Sequence, residues 1–88
     1  MDPTELSQII SRISTMEQCY DRLLHASTLD PETIQRLSEQ LRRYYESGLW
    51  LQDYELDEQG YLPAHLKRGV LSQDGVFDLL TALQHPES

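Results

Sequence analysis

The chain has 88 residues, with 15 Asp plus Glu against 7 Lys plus Arg, a net charge of −8 and 39% hydrophobic residues. Those numbers describe one small acidic domain and disfavour phosphate-backbone binding or attraction to anionic membranes, both of which draw on clustered cations. No apolar run approaches the roughly eighteen residues of a membrane span, and Met1-Asp2-Pro3-Thr4-Glu5 has neither the basic start nor the apolar stretch of a secretory signal. A cytoplasmic location is therefore expected, with no nucleic acid and no membrane among the partners.

Leu6, Ile9, Ile13, Met16, Tyr20 and Leu23 recur at spacings of three and four, which predicts an amphipathic first helix from about Pro3 to Ala26. Asp2 is placed to cap it and Pro3 to occupy its first turn. Ser27-Thr28-Leu29-Asp30 breaks the pattern. Asp30-Pro31-Glu32 then opens a second helix to about Ser47, with Ile34, Leu37, Leu41, Tyr44 and Tyr45 inward, and the short connection predicts a helical hairpin. Gly48 either ends this helix or lies within a longer one reaching Tyr54.

Residues 49–69 read as a mostly irregular connection rich in Trp, Tyr and acids, with Asp57-Glu58-Gln59-Gly60 as turn chemistry. Ser72-Gln73-Asp74 ahead of Val76, Phe77, Leu79, Leu80 and Leu83 predicts a short third helix from about Gln73 to Leu83, with Phe77 on its buried face. The reading is an all-α single domain over 1–83, two long helices plus the connection and one short helix, with 84–88 as a tail.

From residue 44 onward the text is more distinctive: Tyr44-Tyr45-x-Ser47-x-x-Trp50-x-x-Asp53-Tyr54-Glu55-x-Asp57-Glu58-x-Gly60-x-Leu62-Pro63-x-x-Leu66-Lys67-Arg68-Gly69-Val70-Leu71-Ser72-x-Asp74. Over residues 44–80 it resembles a family of small bacterial proteins known as domain of unknown function 4298. The resemblance implies membership of a family and carries no activity, substrate or catalytic residue. Where members often have an acid at 65 and Ala at 75, this chain has His65 and Gly75.

Asp53, Glu55, Asp57 and Glu58 suggest an oxygen cage for a hard cation, but the spacing fails that of a calcium loop. Counted from Asp53 the required glycine position holds Glu58; counted from Glu55 the glycine is right, yet the final bidentate ligand is replaced by Leu66. The lone Cys19 sits beside the first helix's seam, and His25, His65 and His85 have no motif that pairs one with it or groups them as metal ligands. No catalytic residue, metal ligand or cofactor is assigned. Lys67-Arg68 lacks the pattern of a phosphate loop; the pair is expected either to clasp the acidic run or to bind an anionic group.

Five of the seven aromatic residues (Tyr44, Tyr45, Trp50, Tyr54, Tyr61) lie beside the acidic run. Aromatic rings next to charges make interface anchors as well as core filling. The expected function is a non-enzymatic protein-binding or regulatory module, of inhibitor or immunity type, that meets a basic protein through Trp50, Asp53, Tyr54, Glu55, Asp57 and Glu58. One alternative is a homodimer assembled through the first helix's apolar stripe. Another is a metal-dependent or small-ligand enzyme built on Asp53–Glu58.

Overall fold

A computed structural model describes residues 2–72 and 74–84. Four α-helices follow one another, α1 (Pro3–Leu24), α2 (Pro31–Glu46), α3 (Leu49–Glu58) and α4 (Gly75–Gln84), with 3-10 turns at Ala26–Thr28 and Gly69–Leu71; no strand occurs among the described residues. The chain is all-α, and α1 and α2 pack as a hairpin with the shorter helices after them.

Both long helices begin as their sequences dictate. Asp2 accepts from the amides of Thr4 at 2.6 Å and Glu5 at 3.1 Å, and Asp30 accepts from the Thr33 amide at 3.3 Å and hydroxyl at 2.5 Å. Each aspartate satisfies amides that the first helical turn leaves without partners, and Pro3 and Pro31 stand where no donor is needed. The Thr33 bonds hold the Asp30 carboxyl below its usual range.

Gly48 ends α2. Its φ of +93° lies in the left-handed region, so the chain turns there, and the Ser47 hydroxyl bridges the junction by donating to the Tyr44 carbonyl and accepting from the Leu49 amide. The chain then re-enters a helix over Leu49–Glu58, where an irregular connection was expected. The inward stripe of α3 is Trp50, Asp53, Tyr54 and Asp57, which has helical spacing but is half carboxylate. Leu49 and Leu51 point outward, so the apolar residues share no single face and the period is hidden in the sequence.

Gly60, at φ +79°, closes α3 in a Schellman arrangement: the Tyr61 amide donates to Leu56 O at 3.1 Å and the Gly60 amide to Asp57 O at 3.0 Å. Segment 59–68 is irregular, as expected for that part of the connection.

The core gathers Ile13, Met16, Cys19 and Leu23 of α1, Leu37, Leu41 and Tyr44 of α2, Trp50 of α3, Leu62, Val70 and Leu71 of the connection, and Val76 of α4. Helix α4 begins at Gly75, with the Asp78 amide donating to Asp74 O at 2.9 Å, and it extends through Gln84. The expected start at Gln73 and residues 85–88 of the expected tail lie outside the described residues, while Gln84, expected in that tail, belongs to α4. Phe77, expected in the core, is 58% exposed. Val76 takes the buried position, with Leu79, Leu80 and Leu83 half-buried beside it, because five apolar residues span a wider arc than one packed face.

Candidate functional site

The acidic-aromatic segment divides into an inward and an outward half. Asp53 has no solvent exposure. Its Oδ2 accepts from Arg12 Nε at 3.0 Å and from the Tyr44 hydroxyl at 2.6 Å, and its Oδ1 pairs with Arg12 Nη2. One carboxylate thus ties α1, α2 and α3 together by accepting three hydrogen bonds, two of them from a guanidinium, which is the kind of pairing under which a buried charge is tolerated. Burial, and then the bond to Asp53, push the Tyr44 phenol far above its usual range, so it stays a neutral donor; the same carboxylate raises the Arg12 guanidinium.

Trp50 is likewise turned inward. Its indole Nε1 donates to Val70 O at 2.8 Å, and its ring stacks on Tyr54 at 5.2 Å and meets Tyr45 at a tilt at 5.1 Å. The Val70 amide donates to Glu17 Oε2 of α1 at 2.7 Å. Both polar groups of a fully buried residue are therefore held by side chains, one from α1 and one from α3.

Arg68 folds onto Asp57 through Nη1 and also donates to Pro63 O at 2.6 Å and Leu66 O at 3.3 Å, pinning the turn around Pro63. Lys67 stays exposed and forms no ion pair among the described residues. The two bases expected to act together are separated, with the Arg68 guanidinium occupied inside the fold.

Six residues had been expected to form one binding surface. Asp53 and Trp50 are buried and Asp57 is half-buried against Arg68. Tyr54 is half-buried, its phenol raised first by the charge of Glu58 one turn on. Glu55 and Glu58 are exposed, and neither forms an ion pair among the described residues. A helix splays these four carboxylates around its axis, and among the described residues no three Asp, Glu, His or Cys side chains converge where an ion could sit.

The first helix's stripe is spent within the chain: Ile13, Met16, Cys19 and Leu23 are buried in its own core. The Cys19 thiol contacts Leu37 O at 3.2 Å, and burial pushes its pKa up, away from the reactive thiolate. His25 closes α1 with Nδ1 2.9 Å from Asp21 O, and His65 is exposed. His85 lies outside the described residues.

Arg12, Glu17 and Tyr44 were missed as positioning residues. Arg12 and Glu17 flank Ile13 and Met16 closely enough that each reaches an inward partner, which was the available signal. Separately, a groove of about 600 Å³ opens between α2 and α4, floored by Ile34, Leu80 and Leu83 and rimmed by Gln35, Glu39 and Arg42. Glu39 and Arg42 pair with each other, and the buried Ser38 hydroxyl beneath has no hydrogen-bond partner.

These elements define a small all-α domain organised around an Arg–Asp–Tyr cluster whose carboxylate is buried. The chain belongs to the family described as domain of unknown function (DUF4298), whose sequence model matches residues 13–86. The match includes most of the α1–α2 hairpin as well as the second half, beyond the 44–80 stretch whose motifs carry the resemblance. Comparison with curated proteins and with solved structures yields no match. No described helix is long and apolar enough to cross a membrane.

Proposed function

We propose that this chain is a non-enzymatic protein-binding module that meets a basic partner on the outward face of α3. The observation that carries this reading is the alignment of Leu51, Glu55 and Glu58 at helical spacing on that face, with Leu51 51% exposed and neither glutamate in an ion pair among the described residues. Free acids accelerate encounter with a cationic surface, and an exposed leucine supplies apolar contact once docked. The inward side of the helix is locked by Asp53 and Trp50, so the face is presented without a large ordering cost on binding.

Relative to the sequence-based expectation, this reading keeps Glu55 and Glu58, adds Leu51, and leaves out Trp50, Asp53, Tyr54 and Asp57. The test is affinity capture with the tagged protein at low and high salt, alongside Glu55→Lys/Glu58→Lys. A stoichiometric basic partner, lost in the double variant and weakened by salt, supports the reading. A partner retained by a correctly folded double variant refutes this face as the docking site.

A further inference from the structure

The outward face of α2 carries Glu32, Gln35, Arg36, Glu39, Gln40 and Arg43, opposite the buried Leu37, Leu41 and Tyr44. Their order has a charge-inverting symmetry. When a second α2 is laid antiparallel with its centre between Leu37 and Ser38, Glu32 falls opposite Arg43, Arg36 opposite Glu39, and Gln35 opposite Gln40. Each of the four charges Glu32, Arg36, Glu39 and Arg43 meets its opposite, and each pairing occurs twice because a two-fold axis repeats it; Arg42 and Glu46, on the same side of α2, have no charged counterpart.

We propose that two copies of this chain associate through the outward faces of α2, packed antiparallel about a two-fold axis. A helix whose charges read the same in both directions would place like charges opposite each other; this one complements its own copy. The stripe runs about 16 Å along the helix at 1.5 Å per residue, and the long stems of its arginines and glutamines provide contact area.

In the single chain Glu39 pairs with Arg42 along the same helix, and the other three charged groups are less engaged. Among the described residues neither Glu32 nor Arg36 forms an ion pair, and Arg43, with its side chain 80% exposed, reaches Glu39 only at 3.6 Å. Shallow depressions of about 400 Å³ line the stripe, one bounded by Glu32, Gln35, Arg36 and Arg43, the other by Arg36, Gln40 and Arg43, with Glu39 common to both. Side chains of an apposed helix fit such depressions as ridges fit grooves. Unlike the apolar stripe of α1, this face is not consumed by the core.

The proposal is independent of the α3 face, which lies on another helix. It is tested by sedimentation equilibrium over a concentration series at low and high salt, on the full chain and on Arg43→Glu, Glu32→Arg and the double variant E32R/R43E. The expected result is a concentration-dependent dimer weakened by salt. Each single reversal, which places like charges opposite each other twice, weakens dimerisation by about tenfold or more, and the double variant restores it. Circular dichroism confirms that all four proteins are equally helical. A monomer mass at every concentration overturns the proposal, as does a dimer that both single reversals leave unchanged or that the double variant fails to restore.

Discussion

The indole of Trp50 and the carbonyl of Val70, twenty residues apart, are joined by a 2.8 Å hydrogen bond inside the core. Val70 is fully buried and its amide is held from the other side by Glu17, so α1 and α3 grip the 3-10 turn Gly69–Leu71 between them. This relationship makes the only tryptophan a structural residue and explains why the irregular segment after α3 has a defined path. Trp50→Phe keeps an aromatic ring against Tyr54 and removes the donor. It is expected to cost about 1–3 kcal/mol, the penalty for a buried carbonyl left without its partner, measured by urea unfolding followed with circular dichroism.

The Asp53 cluster distinguishes a balanced buried charge from an orphaned one. Asp53→Ala leaves Arg12 and Tyr44 without their acceptor, and a loss of about 3–5 kcal/mol is expected. The triple variant Arg12→Met/Tyr44→Phe/Asp53→Leu removes all the polar groups together. Its stability is expected to return most of the way to that of the wild-type chain, as apolar packing commonly replaces a buried ion network. Equal loss in the single and triple variants would contradict this account.

Stability at alkaline pH follows from Tyr44. Its folded pKa is raised above the ordinary value of 10.0, so the native state holds the proton more tightly than the unfolded chain. The corresponding stabilisation is intact below about pH 10 and is lost as pH rises beyond it, with a slope of up to about 1.4 kcal/mol per pH unit from this one group. Cys19, raised from 9.0 by burial, adds to the same limb at slightly lower pH. Unfolding free energies measured from pH 8 upward are expected to fall less steeply in Tyr44→Phe than in the wild-type chain.

Gly48 tests the backbone alone. A Cβ there would meet nothing within 4 Å, yet φ is +93°. Gly48→Ala is therefore expected to cost about 1–2 kcal/mol through conformational strain without any steric clash, read as a lower urea midpoint with unchanged cooperativity.

Adjacent residues of α4 are predicted to differ. Val76 has no exposure and Phe77 is 58% exposed. Val76→Ala is expected to cost about 2 kcal/mol, whereas Phe77→Ala is expected to change stability by no more than about 0.5 kcal/mol. Thermal melts of the two variants compare them directly, and a larger loss for Phe77 would reverse the placement of this helix.

The hairpin was legible because its signals are local. Asp2-Pro3 and Asp30-Pro31 act within one helical turn, and the spacing of Ile13, Met16 and Leu23 against Leu37, Leu41 and Tyr44 needs only the 3.6-residue period to be read. Helix α3 was not legible, since its inward stripe contains Asp53 and Asp57, which count as surface residues until Arg12 and Arg68 are brought to them. The same cause misplaced the candidate surface: carboxylates read as one acidic face are divided by the helix between the core and solvent.

The sequence by itself determined an acidic all-α chain with an antiparallel hairpin and membership of its family, because capping, periodicity and motif identity are properties of neighbouring residues. Only the tertiary structure decided which acids are exposed, since Arg12 reaches Asp53 from 41 residues away and Glu17 reaches the Val70 amide from 53 residues away along the chain. A buried carboxylate and a solvated one differ in the groups that surround them, and for this chain those groups arrive from another helix.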